Sequence, residues 1–245
     1  MFKFLRVEFE KLNYSKAPLL GFLLLILISV AVAAVEFSNM PIDVAETFYV
    51  DFMLFNSTFL VMKIIVPVLI LLLAASIWGG EYADGMIKSF LLCRVSKNEM
   101  FVGKLLLLIF SSVMAVLATF VIFTVISLLK GGTAGISLQT ILAMAKVYAL
   151  TTVGLLPILL LTVLASILLG DFQKGFSVGI VSLILSLSMD SILENAYLTP
   201  TYFLSHGSVI YTSKVSTESV IALGFYLVLL TISGIMAFNN KDIWQ

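Results

Sequence analysis

Charge is scarce in this chain: Asp, Glu, Lys and Arg make up 11% of its 245 residues, against about 25% in a soluble domain. Cysteine and histidine are scarcer still, with one of each, Cys93 and His206. A lone cysteine excludes an intrachain disulfide and a cysteine-rich metal site. A lone histidine removes clustered zinc or iron ligation and most imidazole acid–base chemistry. Proline-rich linkers, low-complexity tracts and internal repeats are missing as well. What the sequence has in quantity is apolar side chains, 61% of the total, with a mean hydropathy of +1.15. A soluble domain of this size cannot hide that much apolar surface. The composition therefore excludes an ordinary cytosolic enzyme, a nucleic-acid binder and a disordered protein, and leaves an all-α integral membrane protein.

A membrane-spanning helix needs about 20 mostly apolar residues. Stretches at 17–35, 58–78, 105–129, 147–168, 176–192 and 218–238 meet or approach that requirement, so six spans are expected within a single transmembrane domain over 1–245. The start of the fourth is open: residues 136–146 either extend that helix outward or lie as a short interfacial or re-entrant piece. Pro67 and Pro157 fall inside spans, where each deletes a helical hydrogen bond and predicts a local kink. The apolar run from Ala17 is longer than the core of a cleavable signal, which favours a retained first span over a removed leader.

The net charge is zero, with 14 basic and 14 acidic residues, yet the charges are not evenly placed. With the N-terminus inside, the inner segments hold Lys3, Arg6, Lys11, Lys16, Lys88, Arg94, Lys97, Lys104, Lys174 and Lys241, and the outer ones only Lys130 and Lys214. That asymmetry predicts a multi-pass protein of the cell membrane with both termini cytoplasmic. Residues 2–16 add a basic leader in which Phe2, Leu5, Phe9 and Leu12 recur at helical spacing, the pattern of an amphipathic elbow helix lying on the inner leaflet.

The most charged stretch is the inner segment Gly79 to Lys104, between spans two and three. Glu81, Asp84 and Gly85 precede a short apolar run from Met86 to Cys93, and Arg94, Lys97 and Lys104 follow it. Acidic residues near the start of a short helix and basic ones near its end match the helix dipole. The apolar residues of such a helix need a cover. No loop is long enough for a catalytic domain. The chain is read as having no G-x-x-x-x-G-K-[ST], H-E-x-x-H or G-x-S-x-G motif, and so no catalytic motif of its own.

In this segment the sequence resembles the membrane subunits of type-2 ABC exporters, which carry an acidic residue, a glycine followed by a short helix, an arginine, and a glycine-lysine pair at the next span. Glu81, Gly85, Arg94 and Gly103-Lys104 stand at the matching places, whereas Met86 replaces the usual threonine and Cys93-Arg94-Val95-Ser96 lacks the usual proline. The resemblance extends to the basic amphipathic start, the six spans and the Thr199-Pro200 segment before the last span. It implies a cytoplasmic coupling helix, with Glu81, Asp84, Gly85, Met86, Phe90, Arg94 and Lys104 as the residues that couple to a separate ATPase. It further implies two ATPase copies, a second permease read as an identical chain, no cofactor on this chain, and ATP with Mg in the partner.

Compact permeases of this kind resemble those that export or expel peptides, including lantibiotic self-protection systems; lipid, drug or glycan export are alternatives. The acids Glu36, Asp43, Glu46 and Asp51, with no base among them, loosely favour a cationic amphipathic peptide. They are equally the residue left outside by the positive-inside bias. From other classes, a membrane scaffold, an ion-driven carrier and an intramembrane enzyme were weighed. The carrier lacks visible inverted repeats, and the enzyme lacks paired aspartates or a Ser-His pair at membrane depth. Within the membrane, Ser182, Ser186, Asp190 and Glu194 recur every four residues on one stripe of the fifth span. The stripe lines either a translocation path or dimer interface, or is a set of serines bonded to their own helix with acids at the headgroups.

Overall fold

The structure is a computed structural model, and it describes residues 24, 27–28, 30–32, 50, 52–53, 61–87, 96–131, 136–192, 196–206, 210–211 and 216–241. No strand occurs among them. The expected elbow helix over 2–16 lies outside the described residues, as do Phe90, Arg94 and Glu194. Of the expected first span, residues 24, 27–28 and 30–32 are helical. The long helices are α1 (Val61–Ala83), α2 (Lys97–Gly131), α3 (Leu138–Leu169), α4 (Phe172–Ile192) and, after the four-residue α5 (Tyr202–Ser205), α6 (Thr217–Asn240). Five of these are long and apolar enough to cross a membrane.

Uninterrupted apolar sequence gives long helices because in lipid each backbone N–H and C=O must be satisfied within its own segment. The spanning part of α2 runs 33 residues, about 50 Å at 1.5 Å per residue, against a hydrocarbon core of about 30 Å. Its first turns therefore project beyond the bilayer and can carry charge. The open start of the fourth span is resolved: α3 is one continuous helix from Leu138, capped by Ser137, whose hydroxyl accepts from the Thr140 N–H while the Thr140 hydroxyl accepts from the Ser137 N–H. Gly170 ends it in the left-handed region at φ 65°.

Helix α3 is the centre of the bundle, packing on α1, α2, α4, α5 and α6. Threonines survive in that apolar position because each donates to its own helix four residues back: Thr151 to Val147 O, Thr152 to Tyr148 O and Thr162 to Ile158 O. Pro67 follows a π-helical turn, Val61–Ile65. The wider turn relieves the missing donor and the ring clash. Pro157 is carried inside α3 without interrupting the helix.

Where helices approach closely, glycine is the reason. Gly175 and Gly179, one turn apart on α4, face Ser166 and Thr162 of α3, and a methyl at either position would lie within 3.0 Å of those side chains. This is the small-xxx-small contact that lets membrane helices meet in the absence of a hydrophobic drive between them.

Candidate functional site

Two polar constellations lie at opposite ends of the bundle. The first gathers where α1, α3 and α6 end and α2 and α4 begin. Glu81, in the last turn of α1, accepts a hydrogen bond and ion pair from Lys104 of α2, and both side chains are buried, Lys104 completely. The Lys104 ammonium also sits 5.8 Å from the centre of the Trp78 ring. Trp78 in turn packs against Phe101 at 5.4 Å and edge-on against Phe238 at 5.3 Å. An aromatic face stabilises a desolvated cation through its quadrupole, so the buried ammonium has a carboxylate on one side and a π-cloud on another.

Immediately after the pair the chain turns. The Gly85 N–H donates to Tyr82 O at 3.2 Å and Gly85 adopts φ +68°, a left-handed conformation that costs an L side chain about 1–2 kcal/mol. Helix resumes at Met86 and Ile87; Met86 is exposed and Ile87 buried, while Asp84 is exposed beside the turn. The seven residues expected to couple to an ATPase thus divide three ways. Asp84, Gly85 and Met86 form an outward turn, Glu81 and Lys104 join each other inside, and Phe90 and Arg94 lie outside the described residues.

Two lysines at this end do work that the sequence reading missed. Lys97 donates to Asn239 O at 3.0 Å and Lys241 O at 3.3 Å, closing the C-terminal end of α6. Lys241 donates to Ile167 O and Leu168 O, closing the end of α3, and lies 4.4 Å over the Tyr82 ring. The last carbonyls of a helix lack intrahelical donors and carry partial negative charge, which a lysine satisfies on both counts. Partial burial pushes the Lys241 ammonium below the ordinary lysine range. No local pattern gave this, since Lys97 opens α2 and Lys241 follows α6, yet each closes the end of a different helix, α6 and α3. Replacing Lys241 with methionine is expected to lower stability by about 1 kcal/mol, read from unfolding of the detergent-solubilised chain.

The second constellation is at the far end of α4. Asp190 is buried and accepts from three hydroxyls: Thr199 on Oδ1, and Thr201 (2.7 Å) and Ser205 on Oδ2. These donors come from the segment Ala196–His206, which is also held by Phe203 against Gly154 of α3 and by the Tyr226 hydroxyl donating to Leu198 O at 3.2 Å. Of the other stripe residues, Ser182 donates to Gly179 O at 2.8 Å within its own helix, and Ser186 is half-buried. The four-residue spacing located Asp190, but its partners belong to the next segment and could not be read from the stripe.

The reading of a chain without catalytic motifs needs one correction. Gly175-Phe176-Ser177-Val178-Gly179 spells G-x-S-x-G, the letters of a hydrolase nucleophile elbow. That motif needs a sharp strand-to-helix turn, whereas here it lies inside α4, Ser177 donates to Gln173 O at 2.7 Å, and the two glycines make the α3 contact. The pattern is a packing stripe.

The fold and these sites define a multi-pass α-helical membrane protein in which the two polar constellations among the described residues lie at the helix ends. Residues 4–191 match the model described as ABC-2 family transporter protein, and the chain belongs to that family. It is accordingly a transmembrane permease subunit of an ABC transporter, of a family that works with an ABC ATPase. No curated protein and no solved structure matches the chain.

Proposed function

We propose that this permease exports or expels a cationic amphipathic peptide, driven by ATP hydrolysis in a separate cytoplasmic ATPase that docks on the segment 79–104. The observation that carries the docking part is the turn at Asp84–Met86. A left-handed glycine directs the chain out of α1 and presents an exposed methionine at the lysine-rich end, and methionine is an adaptable contact for a partner's apolar cleft. The lysines Lys97, Lys104 and Lys241 share that end, in keeping with a cytoplasmic position under the positive-inside rule. Two copies of this chain with two ATPases make the working unit. ATP moves the permease only in so far as the ATP-bound ATPase dimer holds one arrangement more tightly than the other.

The test is co-expression with a candidate ABC ATPase. Met86→Asp is expected to cut the co-purified ATPase at least tenfold, since a carboxylate desolvated in an apolar cleft costs more than about 1.4 kcal/mol. Gly85→Val is expected to reduce ATP-dependent transport because it strains the turn. Full co-purification and transport in both variants would overturn the docking assignment. For the substrate, cells carrying the complete transporter are challenged with a cationic amphipathic peptide; unchanged sensitivity, or protection only against a lipid-like drug, would overturn the peptide assignment.

A further inference from the structure

Glu81 and Lys104 invite the simplest interpretation, that both touch the ATPase. Their placement argues otherwise. Both are buried, they face each other from positions 23 residues apart, and they sit beside the Trp78–Phe101–Phe238 aromatic cluster. A charge buried in an apolar bundle is expensive, and packing alone would be served as well or better by two apolar side chains. What an ion pair adds over an apolar pair is a defined geometry: the carboxylate on the last turn of α1 must meet the ammonium on the second turn of α2.

We propose that Glu81 and Lys104 are a clasp that ties the last turn of α1 to the second turn of α2, so that the two helices move as one lever when the ATPase pulls on the docking turn Asp84–Met86. The proposal rests on the docking reading above. In it, Glu81 and Lys104 are positioning residues that act through Asp84, Gly85 and Met86. With the clasp open, the segment still presents Met86 and still binds, but a displacement at the docking turn is absorbed by the loop instead of rotating both spans. Breaking the pair should therefore separate binding from transport.

The experiment uses the full transporter with Glu81→Gln, Lys104→Met, the exchange Glu81→Lys with Lys104→Glu, and the apolar pair Glu81→Leu with Lys104→Met. Co-purified ATPase, transport per ATP hydrolysed, and hydrogen exchange of the 82–87 amides are measured on each. The single variants are expected to keep ATPase binding within threefold, lose tenfold or more in transport per ATP, and exchange about tenfold faster at 82–87. The charge exchange is expected to restore both within threefold.

The apolar pair guards against a variant that merely fails to fold, because it removes both members of the buried pair together. It is expected to stay folded and to transport as poorly as the single variants. Restored coupling in the apolar pair would overturn the clasp, since packing would then suffice. So would loss of ATPase binding in Glu81→Gln to the extent seen with Met86→Asp, which would make Glu81 a direct contact. Failure of the wild-type chain to retain any ATPase would instead sink the docking reading itself, and the amide exchange, which needs no partner, would still report whether the pair orders 82–87.

Discussion

Alanine at Gly79 is expected to destabilise the chain by about 2 kcal/mol, and alanine at the adjacent Gly80 to be neutral or to stabilise it by up to about 1 kcal/mol. The two glycines are indistinguishable in the sequence, and a survey by residue type would treat them alike. Their surroundings differ. A Cβ on Gly79 would come within 2.7 Å of the Asp171 carbonyl and of Phe172 Cα, whereas a Cβ on Gly80 would meet nothing within 4 Å. The atoms opposing Gly79 are backbone, which cannot rotate aside as a flexible side chain can, so the α1 and α4 segments must part. Overpacking of this kind typically costs about 1–3 kcal/mol. At Gly80 the substitution only removes glycine's excess backbone entropy from a helix. Titration of the purified chain with SDS, followed by circular dichroism, measures both. Equal effects at the two positions would refute the close α1–α4 approach.

Asp190→Ala is expected to be the most damaging substitution at the other end, costing about 3 kcal/mol in the same titration. It leaves three hydroxyls, those of Thr199, Thr201 and Ser205, without the acceptor they share. An orphaned buried donor costs about 1–3 kcal/mol, and a hydroxyl that can turn to a backbone carbonyl recovers part of it. Ser205 already shares its hydroxyl with Thr201 O at 2.9 Å, so its part of the loss is reduced, and the clearest loss falls on the Thr201 hydroxyl. Asp190→Asn keeps the shape and one acceptor oxygen but brings an NH₂ towards hydroxyl donors, and is expected to recover less than half. Ser182→Ala, which removes only a bond within its own helix, is the control and should change stability by less than about 0.5 kcal/mol. If Asp190→Ala lowers transport while leaving stability untouched, the carboxylate serves the translocation path and the cage is secondary.

The helical membrane class was legible because long apolar runs have few solutions in lipid. What hydropathy could not supply is which residues meet. Glu81 and Lys104 were both marked in the sequence, but as parts of one outward-facing segment. Their pairing depends on α1 and α2 lying side by side, which no local pattern states. Asp190 was placed on the correct helix by its spacing from Ser182 and Ser186. Its donors follow a turn, and hydroxyls so common in a membrane chain carry no address. The Gly175/Gly179 pair could have been read as a helix contact from spacing alone. Its overlap with a hydrolase pattern shows why letters need their backbone setting.

The lysine caps bear on biogenesis. Lys97 and Lys241 belong to the lysine-rich end that the proposed orientation places inside, and in the folded molecule their ammonium groups lie on the carbonyl ends of α6 and α3. Lys97 is made long before the carbonyls of Asn239 and Lys241 that it binds. Lys97 can therefore close the end of α6 only once that last helix has been synthesised. Fastening of α2 to α6 through Lys97 waits for the last residues of α6, and a chain cut before residue 239 lacks the carbonyls that Lys97 closes.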